Sequence, residues 1–206
     1  MKRSKSSNAW LREHVNDHYV QQAQKDNYRA RAAYKLLEID EKDKLFKQGA
    51  WVADLGAAPG SWSQVAKQKV GEAGRVFALD MLPMDPIRGV EFIQGDFRED
   101  AVLAQFTKLL DGRLVDLAIC DIAPNITGMA VTDQARSFYL CELALDFCRD
   151  YLKPGGNFLV KTFQGSGYTE YMQQMRDTFQ TVLSRKPAAS RDRSTEIYLL
   201  GKGKKP

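Results

Sequence analysis

The chain has 206 residues, of which 44% are hydrophobic, 27% charged and 10% aromatic. This composition is close to that of an average globular protein, so collagen-like, coiled-coil and disordered chains are excluded. No apolar run reaches the roughly 18 residues of a membrane span, and no hydrophobic export signal follows the basic start. Three cysteines without a CxxC pair argue against a disulfide framework and a zinc site. We therefore expect one cytosolic domain over residues 1–206, without membrane contact.

Positive charge is concentrated at the two ends of the chain. Residues 1–35 and 185–206 each carry a net charge of +5, which leaves −6 for residues 36–184. Clustered Lys and Arg bind phosphate backbones, so this distribution favours a nucleic-acid partner. Solvated termini explain the same charges, and charge alone leaves both interpretations open. The basic segments 1–8 and 202–206 are predicted to be mobile.

Hydrophobic periodicity divides the chain into a helical start and an alternating remainder. Residues 9–40 have apolar positions at helical spacing and predict one or two helices. Short apolar runs then predict strands at 51–55, 75–79, 91–94, 115–120, 157–163, 180–185 and 195–200. Helical periodicity lies between them at 61–70, 100–110 and 133–152. The last two strands are separated by too few residues for a helical crossover, so we expect them to pair antiparallel.

The predicted elements define an α/β fold with helices on both faces of a Rossmann-like sheet. The sheet should have seven strands, mostly parallel, with a closing antiparallel strand. In such sheets the ligand binds at the carboxyl ends of the strands. The residues that follow each strand are therefore the candidates for a functional site.

A glycine-rich loop, DLGAAPGSW, runs from Asp54 to Trp62 after the first strand. It has Ala58 where a dinucleotide fingerprint has its second glycine, and the chain contains no P-loop motif. Asp80 ends the second strand, where a carboxylate can accept hydrogen bonds from both ribose hydroxyls. Asp96 follows the third strand and can accept from an adenine amino group. With Asp54, which suits a positive amine, these residues predict S-adenosylmethionine as cofactor.

The glycine-rich loop and Asp96 each also have a purely structural interpretation. The loop alone fits a glycine turn that packs a helix on a strand. Asp96 alone fits a helix cap, and only its predicted proximity to Asp80 favours a ligand contact.

Three charged residues lie in or beside strands that are otherwise apolar. Asp121 ends the fourth strand, Lys161 lies inside the fifth, and Glu196 lies in the last. A buried charge must be paired or neutralised, and a structural salt bridge explains any one of these residues alone. Several such groups at one sheet edge favour a reactive site.

The chain resembles the RlmE family, also called RrmJ or FtsJ, of bacterial S-adenosylmethionine-dependent 2′-O-ribose methyltransferases of ribosomal RNA. The resemblance covers nearly the whole chain and includes the runs DLGAAPGSWSQ, LPMDP, GDFR, DIAPN and VKTFQG. It implies a catalytic tetrad formed by Lys35, Asp121, Lys161 and Glu196. It also implies cofactor contacts at Gly60, Trp62, Asp80, Asp96 and Asp121. Ser61 and residues 127–130 depart from the family pattern and leave RNA contacts open.

The resemblance further implies methylation of a uridine in 23S ribosomal RNA, within the assembled large subunit, by a monomer acting in ribosome assembly. Methyl transfer from a sulfonium is a single displacement, so we expect Lys161 to act as general base. Asp121 would orient it, while Lys35 and Glu196 would position the nucleotide. The protonation state of Lys161 stays open. Candidate phosphate contacts are Lys2, Arg3, Lys5, Arg12, Arg29, Arg31, Arg191 and Arg193. Tyr198 is either a stacking platform for the target base or a core aromatic.

Two other functions remain compatible with the sequence. The DIAPN run stands where base-amino methyltransferases carry a [D/N]PP[Y/F] turn, although Asn125 replaces the aromatic residue and one proline is missing. A non-catalytic RNA-binding protein should have lost part of the tetrad or the loop, and neither is damaged. His14 and His18 are four residues apart but lack a third ligand, so we predict no metal. Cys141 and Cys148 are predicted to be buried on the long helix.

Overall fold

The computed structural model describes residues 17–124, 127–191 and 194–206. Its helices are α1 His18–Lys25, α2 Ala32–Asp43, α3 Ser61–Val70, α4 Asp100–Leu110, α5 Ala130–Tyr151 and α6 Tyr168–Thr178. Its strands are β1 Trp51–Leu55, β2 Arg75–Asp80, β3 Val90–Gln94, β4 Val115–Cys120, β5 Leu152–Phe163, β6 Phe179–Arg185 and β7 Glu196–Lys204. Within these ranges, no helix combines the length and the apolarity that crossing a bilayer requires.

The strands form one seven-stranded sheet in the order β3-β2-β1-β4-β5-β7-β6. Strands β1 to β5 pair in parallel, whereas β7 is antiparallel to both of its neighbours. This arrangement confirms the predicted α/β sheet and the predicted antiparallel pairing of the last two strands. The carboxyl ends of β1 to β5 and the amino end of β7 consequently meet at one edge of the sheet.

Two details of the fold differ from the sequence-based expectation. Helix α6 was not predicted, although Tyr168, Tyr171 and Met175 follow helical spacing. Residues 202–204 were expected to be mobile, and this expectation is wrong because they are the last residues of β7, where Lys204 pairs with Phe179. The predicted mobile segment 1–8 lies outside the described residues.

Apolar side chains fill both faces of the sheet. One face packs against α4, α5 and α6, and the other against α2 and α3. Cys120, Cys141 and Cys148 are free and buried in the first of these layers, as predicted for the two on the long helix. The strands that carry the catalytic candidates are packed on both faces, and this packing holds them in a fixed position.

Candidate active site

A cleft of about 470 Å³ opens at the carboxyl ends of β1, β2, β3 and β4. Its walls include three of the predicted acidic residues, Asp80, Asp96 and Asp121, together with Gly56 and Ala58 of the glycine loop. A volume of this size lies within the range of about 300–1,000 Å³ that is typical of small-molecule sites. The sequence thus located the cleft correctly from the strand ends alone.

Gly56 is required where the loop leaves β1. Its φ of +72° lies in the left-handed region, and a Cβ at this position would stand 2.8 Å from the Cβ of Ile122, another residue of the cleft wall. Its backbone N–H donates to the carbonyl of Leu79, which ties the loop to the end of β2. Any side chain here would therefore narrow the cleft and strain the backbone.

The carboxylate of Asp80 is fixed by backbone amides on both of its oxygens. Oδ2 accepts from the N–H of Ala58 at 2.8 Å, and Oδ1 accepts from the N–H of Leu82 at 2.8 Å. Each oxygen keeps a further lone pair, because a carboxylate offers about four acceptor positions. Asp80 can therefore hold the glycine loop and still accept from a ligand in the cleft.

Asp96 is buried beside the cleft and paired with Arg98. Its oxygens accept from the Arg98 Nε at 2.8 and 2.9 Å and from the Arg98 backbone N–H at 3.0 Å. These hydrogen bonds lower the pKa of Asp96, against the raising effect of burial. Helix α4 begins after Glu99 as its N-cap, so Asp96 is not the side-chain cap of that helix.

Asp54 lies at the end of β1, fully enclosed beneath the glycine loop. Its Oδ2 accepts from the hydroxyl of Ser63 at 2.6 Å. Burial raises the pKa of Asp54 to about 7, and the nearby carboxylates of Asp121 and Asp80 act in the same direction, against the hydrogen bonds from Ser63. The folded protein therefore holds a proton on Asp54 that an unfolded chain releases near its ordinary value of 3.8.

Asp54→Asn is expected to reduce the loss of stability that the wild type shows as the pH rises. A raised pKa in the folded state stabilises the protein at low pH, and this stabilisation is lost between the unfolded value and about 7. Between about pH 5 and about pH 8, the free energy of unfolding of the wild type should fall by about 2 kcal/mol more than that of the variant. Urea denaturation measures the difference, with Asp150→Asn on the exposed end of α5 as the matched control. Parallel pH profiles for wild type and Asp54→Asn would contradict the prediction.

Lys161 and Asp121 form a close pair at the junction of β4 and β5. The Lys161 Nζ donates to the backbone carbonyl of Asp121 at 2.7 Å and lies 3.2 Å from its Oδ1. Lys161 is 8% exposed, so the pair is shielded from water but not closed off. The predicted association of these two tetrad residues is present in the structure.

Lys35 and Glu196 form the second pair, between α2 and the start of β7. The Lys35 Nζ lies 2.6 Å from Glu196 Oε1, and both side chains are nearly buried. Burial by itself raises the pKa of Glu196, but Lys35, with help from Ser190 and Lys161, outweighs burial and holds that pKa below its usual value. Glu196 is therefore ionised. Its ion pair with Lys35 holds helix α2 at the edge of the sheet.

Tyr198 lies between the two pairs and connects them. It is 0% exposed, its hydroxyl donates to Asp121 Oδ1 at 2.8 Å, and the Lys35 Nζ lies 5.8 Å from its ring centre. Of the two predicted roles, the structure supports the core aromatic. A base cannot stack on Tyr198 because Trp62 and the sheet enclose its ring.

Gly60 and Trp62, the other two predicted cofactor contacts, do not line the cleft. Trp62 is buried against Tyr198, and its Nε1 donates to the carbonyl of Ala32 at 2.8 Å. A Cβ at Gly60 would collide with Met84 and Ile87. Cofactor contact by these two residues stays a prediction.

Arg29 is a clamp between the glycine loop and the loop after β2. Its guanidinium donates to the carbonyls of Pro59 at 3.0 Å, Asp85 at 2.7 Å and Pro86 at 2.9 Å. Three of its five N–H donors are thus used internally, and its predicted contact with phosphate stays a prediction. Sequence reasoning could not find this clamp, since backbone carbonyls carry no residue-specific signal.

The other predicted phosphate contacts divide into two groups. Arg31 donates to Asp17 and to the carbonyl of Ala189, so its guanidinium also stabilises the fold, and its contact with phosphate stays a prediction. Arg191 lies 3.7 Å from Asp17 and is partly exposed. The remaining candidates, Lys2, Arg3, Lys5, Arg12 and Arg193, lie outside the described residues.

No group of three or more His, Cys, Asp or Glu side chains is arranged to hold a metal ion within residues 17–124, 127–191 and 194–206. His14 is not among these residues, so the absence of a metal stays a prediction. The cleft instead fits an organic cofactor with hydroxyl and amino groups. Its acidic side chains come from separate strands and converge beside Gly56, where the backbone carries no Cβ.

Solved structures share this architecture. A ribosomal RNA methyltransferase from Plasmodium falciparum is 32% identical and superposes with a TM-score of 0.78 over 86% of this chain and 98% of that chain. Fibrillarin from Aeropyrum pernix, solved with natively bound S-adenosylmethionine, has a TM-score of 0.54 at 16% identity over 84% of this chain and 75% of that chain. The chain thus has the Rossmann-like α/β fold of S-adenosylmethionine-dependent methyltransferases, as predicted.

The family assignment follows from closer relatives. The model of the FtsJ-like methyltransferases matches residues 28–204. A Neisseria meningitidis serogroup C protein named ribosomal RNA large subunit methyltransferase E is 71% identical over 203 residues, which is 98% of each chain. A Chromobacterium violaceum protein of the same name is 68% identical over 205 residues, which is 100% of each chain. The chain belongs to the FtsJ-like methyltransferase family, which confirms the resemblance seen in the sequence.

Proposed function

We propose that the chain transfers the methyl group of S-adenosylmethionine to the ribose 2′-oxygen of a uridine in 23S ribosomal RNA. The observation that carries the proposal is the shielded Lys161–Asp121 pair at the rim of the cleft, flanked by the Lys35–Glu196 pair. The names of the relatives support the RNA of the large subunit as the acceptor. We further propose that a cytosolic monomer acts on the assembled large subunit, with the basic chain ends facing the RNA.

The cleft residues fit the proposed cofactor. Asp80 would accept from the ribose hydroxyls and Asp96 from the adenine amino group, while the carboxylate of Asp121 would favour the positive amine. Asp54 does not line the cleft, and burial raises its pKa to about 7. When bound, the cofactor supplies an electrophilic methyl group on a positively charged sulfur. The protein then has to align a hydroxyl oxygen with that methyl group and take up its proton.

The geometry around Lys161 suits the removal of a proton. A neutral amine can donate its two hydrogens to the two Asp121 oxygens that lie at 2.7 and 3.2 Å. Its lone pair is then left to accept the proton of a 2′-hydroxyl at the rim. Lys161 Nζ would take up the proton of the hydroxyl as its oxygen is methylated, and the resulting ammonium would stay paired with Asp121.

This arrangement favours a ribose hydroxyl over a base amino group as the acceptor. A hydroxyl becomes a good nucleophile only when its proton is removed, and a positioned base such as Lys161 serves that purpose. A base-amino methyltransferase needs an aromatic residue at the turn after β4, where this chain has Asn125. A protein that only binds RNA does not need two buried ion pairs, Lys161–Asp121 and Lys35–Glu196, beside a cofactor cleft.

The test is transfer of a labelled methyl group from S-adenosylmethionine to large ribosomal particles that lack the modification, followed by alkaline hydrolysis. A 2′-O-methyl group blocks cleavage at its nucleotide, so we expect the label in an alkali-resistant dinucleotide. Lys161→Ala should abolish the transfer, and Lys108→Ala, a matched change on the exposed face of α4, should not. Label on a mononucleotide would show base methylation instead, and no transfer to particles or to naked RNA would favour a binding protein.

A further inference from the structure

A second pocket, of about 240 Å³, opens on the other side of the turn that follows β4. It is lined by Ala123, Pro124, Asp133, Gln134, Ser137, Phe163 and Thr195. Ala123 and Pro124 belong to the walls of both cavities, so the pocket and the cofactor cleft are direct neighbours.

The tetrad lies next to this pocket. Lys161 precedes the pocket residue Phe163 by two positions on β5, and Glu196 directly follows the pocket residue Thr195. A nucleotide whose ribose reaches Lys161 therefore has the pocket within reach of its base. The pocket has about half the volume of the cleft, which suits one base.

Ser137 presents an unused polar group to the pocket. Its side chain is only 6% exposed, and its hydroxyl makes no hydrogen bond within the described parts of the chain. The hydroxyl is not one of the fully enclosed unpaired polar atoms of the described residues, so it is open to the pocket and can bond to a ligand there. The hydroxyl lies on α5, one helical turn after Gln134.

Gln134 is held in one orientation. Its Oε1 accepts from the hydroxyl of Ser166 at 2.9 Å, and its amide packs so closely on Gly165 that no side chain fits there. This bond uses Oε1, so the Nε2 hydrogens are the donors that remain on this pocket-lining residue. Asp133 also lines the pocket: its Oδ1 accepts from the N–H and hydroxyl of Thr127 and its Oδ2 from the N–H of Gly128, which leaves Oδ2 with a further acceptor position.

Apolar walls complete the site. Phe163 and Pro124 line the pocket together with the two polar groups. Proteins that read single RNA bases stack them on aromatic rings and bond to their edges. The pocket thus combines one aromatic wall with two donors.

We propose that this pocket receives the base of the nucleotide whose ribose is methylated, and that Gln134 and Ser137 select a base that turns a carbonyl oxygen toward them. Uracil offers two such oxygens, whereas cytosine presents an amino group in place of one of them and would face the Gln134 donor with another donor. This inference rests on the proposed function, because it assigns the acceptor side of the same site.

The experiment compares wild type, Gln134→Glu and Ser137→Ala on large particles reconstituted with three versions of the RNA. The methylated position, mapped with the dinucleotide assay, carries uridine, cytidine or a ribose without a base. Gln134→Glu turns the donor into an acceptor, and Gln105→Glu on the exposed face of α4 is the control for the added charge. Initial rates give kcat/KM, and equilibrium binding of S-adenosylmethionine is measured for every variant.

We expect Gln134→Glu to lower kcat/KM on the uridine particle at least about tenfold, in line with the loss of one specific hydrogen bond. Ser137→Ala should lower it about threefold to tenfold. Neither variant should differ from wild type on the particle without a base, and cofactor binding should stay unchanged.

Equal losses on all three particles would show a merely structural role and overturn the inference, as would unchanged rates on the uridine particle. Failure of the wild type to form any resistant dinucleotide would instead reject the proposed function, and with it the base pocket.

Discussion

Lys161→Ala is expected to lower the rate of methyl transfer by about a thousandfold, and Lys161→Arg is expected to lower it almost as much. General-base catalysis contributes about 10² to 10⁴ in rate. Arginine keeps the positive charge and much of the length of lysine, but it does not release its proton in proteins. Single-turnover kinetics with large ribosomal particles measure both losses. Substantial turnover by Lys161→Arg would show that Lys161 acts by its charge and not as a base.

The interpretation requires that the rest of the site survives the substitution. Asp121 keeps the hydrogen bond from the Tyr198 hydroxyl at 2.8 Å when Lys161 is removed. Lys161 is also absent from the walls of the cofactor cleft. Affinity for S-adenosylmethionine should therefore stay close to that of the wild type, whereas the midpoint of thermal unfolding should fall because Asp121 loses its cationic partner. A large loss of cofactor affinity would mean that the kinetic effect is structural.

Lys35→Met is expected to destabilise the protein by about 3–5 kcal/mol, because it leaves Glu196 as a buried charge without its partner. The double variant Lys35→Met with Glu196→Gln should recover most of this stability, since it no longer buries a charge. Both variants should lose methyl transfer. Urea denaturation gives the free energies of unfolding, and a double-mutant cycle gives the coupling between the two residues.

The contribution of Glu196 to the pH dependence of stability should have the opposite sign in this variant. In the wild type the lowered pKa of Glu196 stabilises the fold above its ordinary value of 4.5, and this contribution is lost as the pH falls. Without Lys35, burial becomes the dominant influence and raises that pKa, so the variant should gain stability as the pH falls toward 4.5. A loss below about 1 kcal/mol, or an unchanged pH profile, would show that the pair contributes little.

The strands and the location of the cleft could be predicted because both depend on local patterns. Alternating apolar runs end at Asp80, Asp96 and Asp121, and topology brings the ends of parallel strands to one edge. The cleft walls then include all three carboxylates. The placement of Lys35 and Glu196 in one pair rested on the family resemblance, since 160 intervening residues separate them in the chain.

Other features depended on packing that one sequence does not reveal. Tyr198 is suited to stacking by its residue type, but Trp62 and Asp121 enclose it. Arg29 and Arg31 have the charge that RNA requires. In the fold, Arg29 also donates hydrogen bonds to backbone carbonyls, and Arg31 pairs with Asp17. Helix α6 did carry a readable signal in its tyrosines and methionines, which the glycines before it obscured.

The position of β7 between β5 and β6 links assembly of the candidate site to the synthesis of a strand that follows the other six in the chain. A nascent chain that ends before residue 196 already contains Lys35, Asp121 and Lys161, but it lacks both Glu196 and Tyr198. Its β5 would also expose an unpaired edge in place of the six residue pairs that β7 makes with it. A chain translated only as far as β6 therefore lacks the Lys35–Glu196 ion pair and the Tyr198–Asp121 hydrogen bond, and both form only once β7 is inserted between β5 and β6.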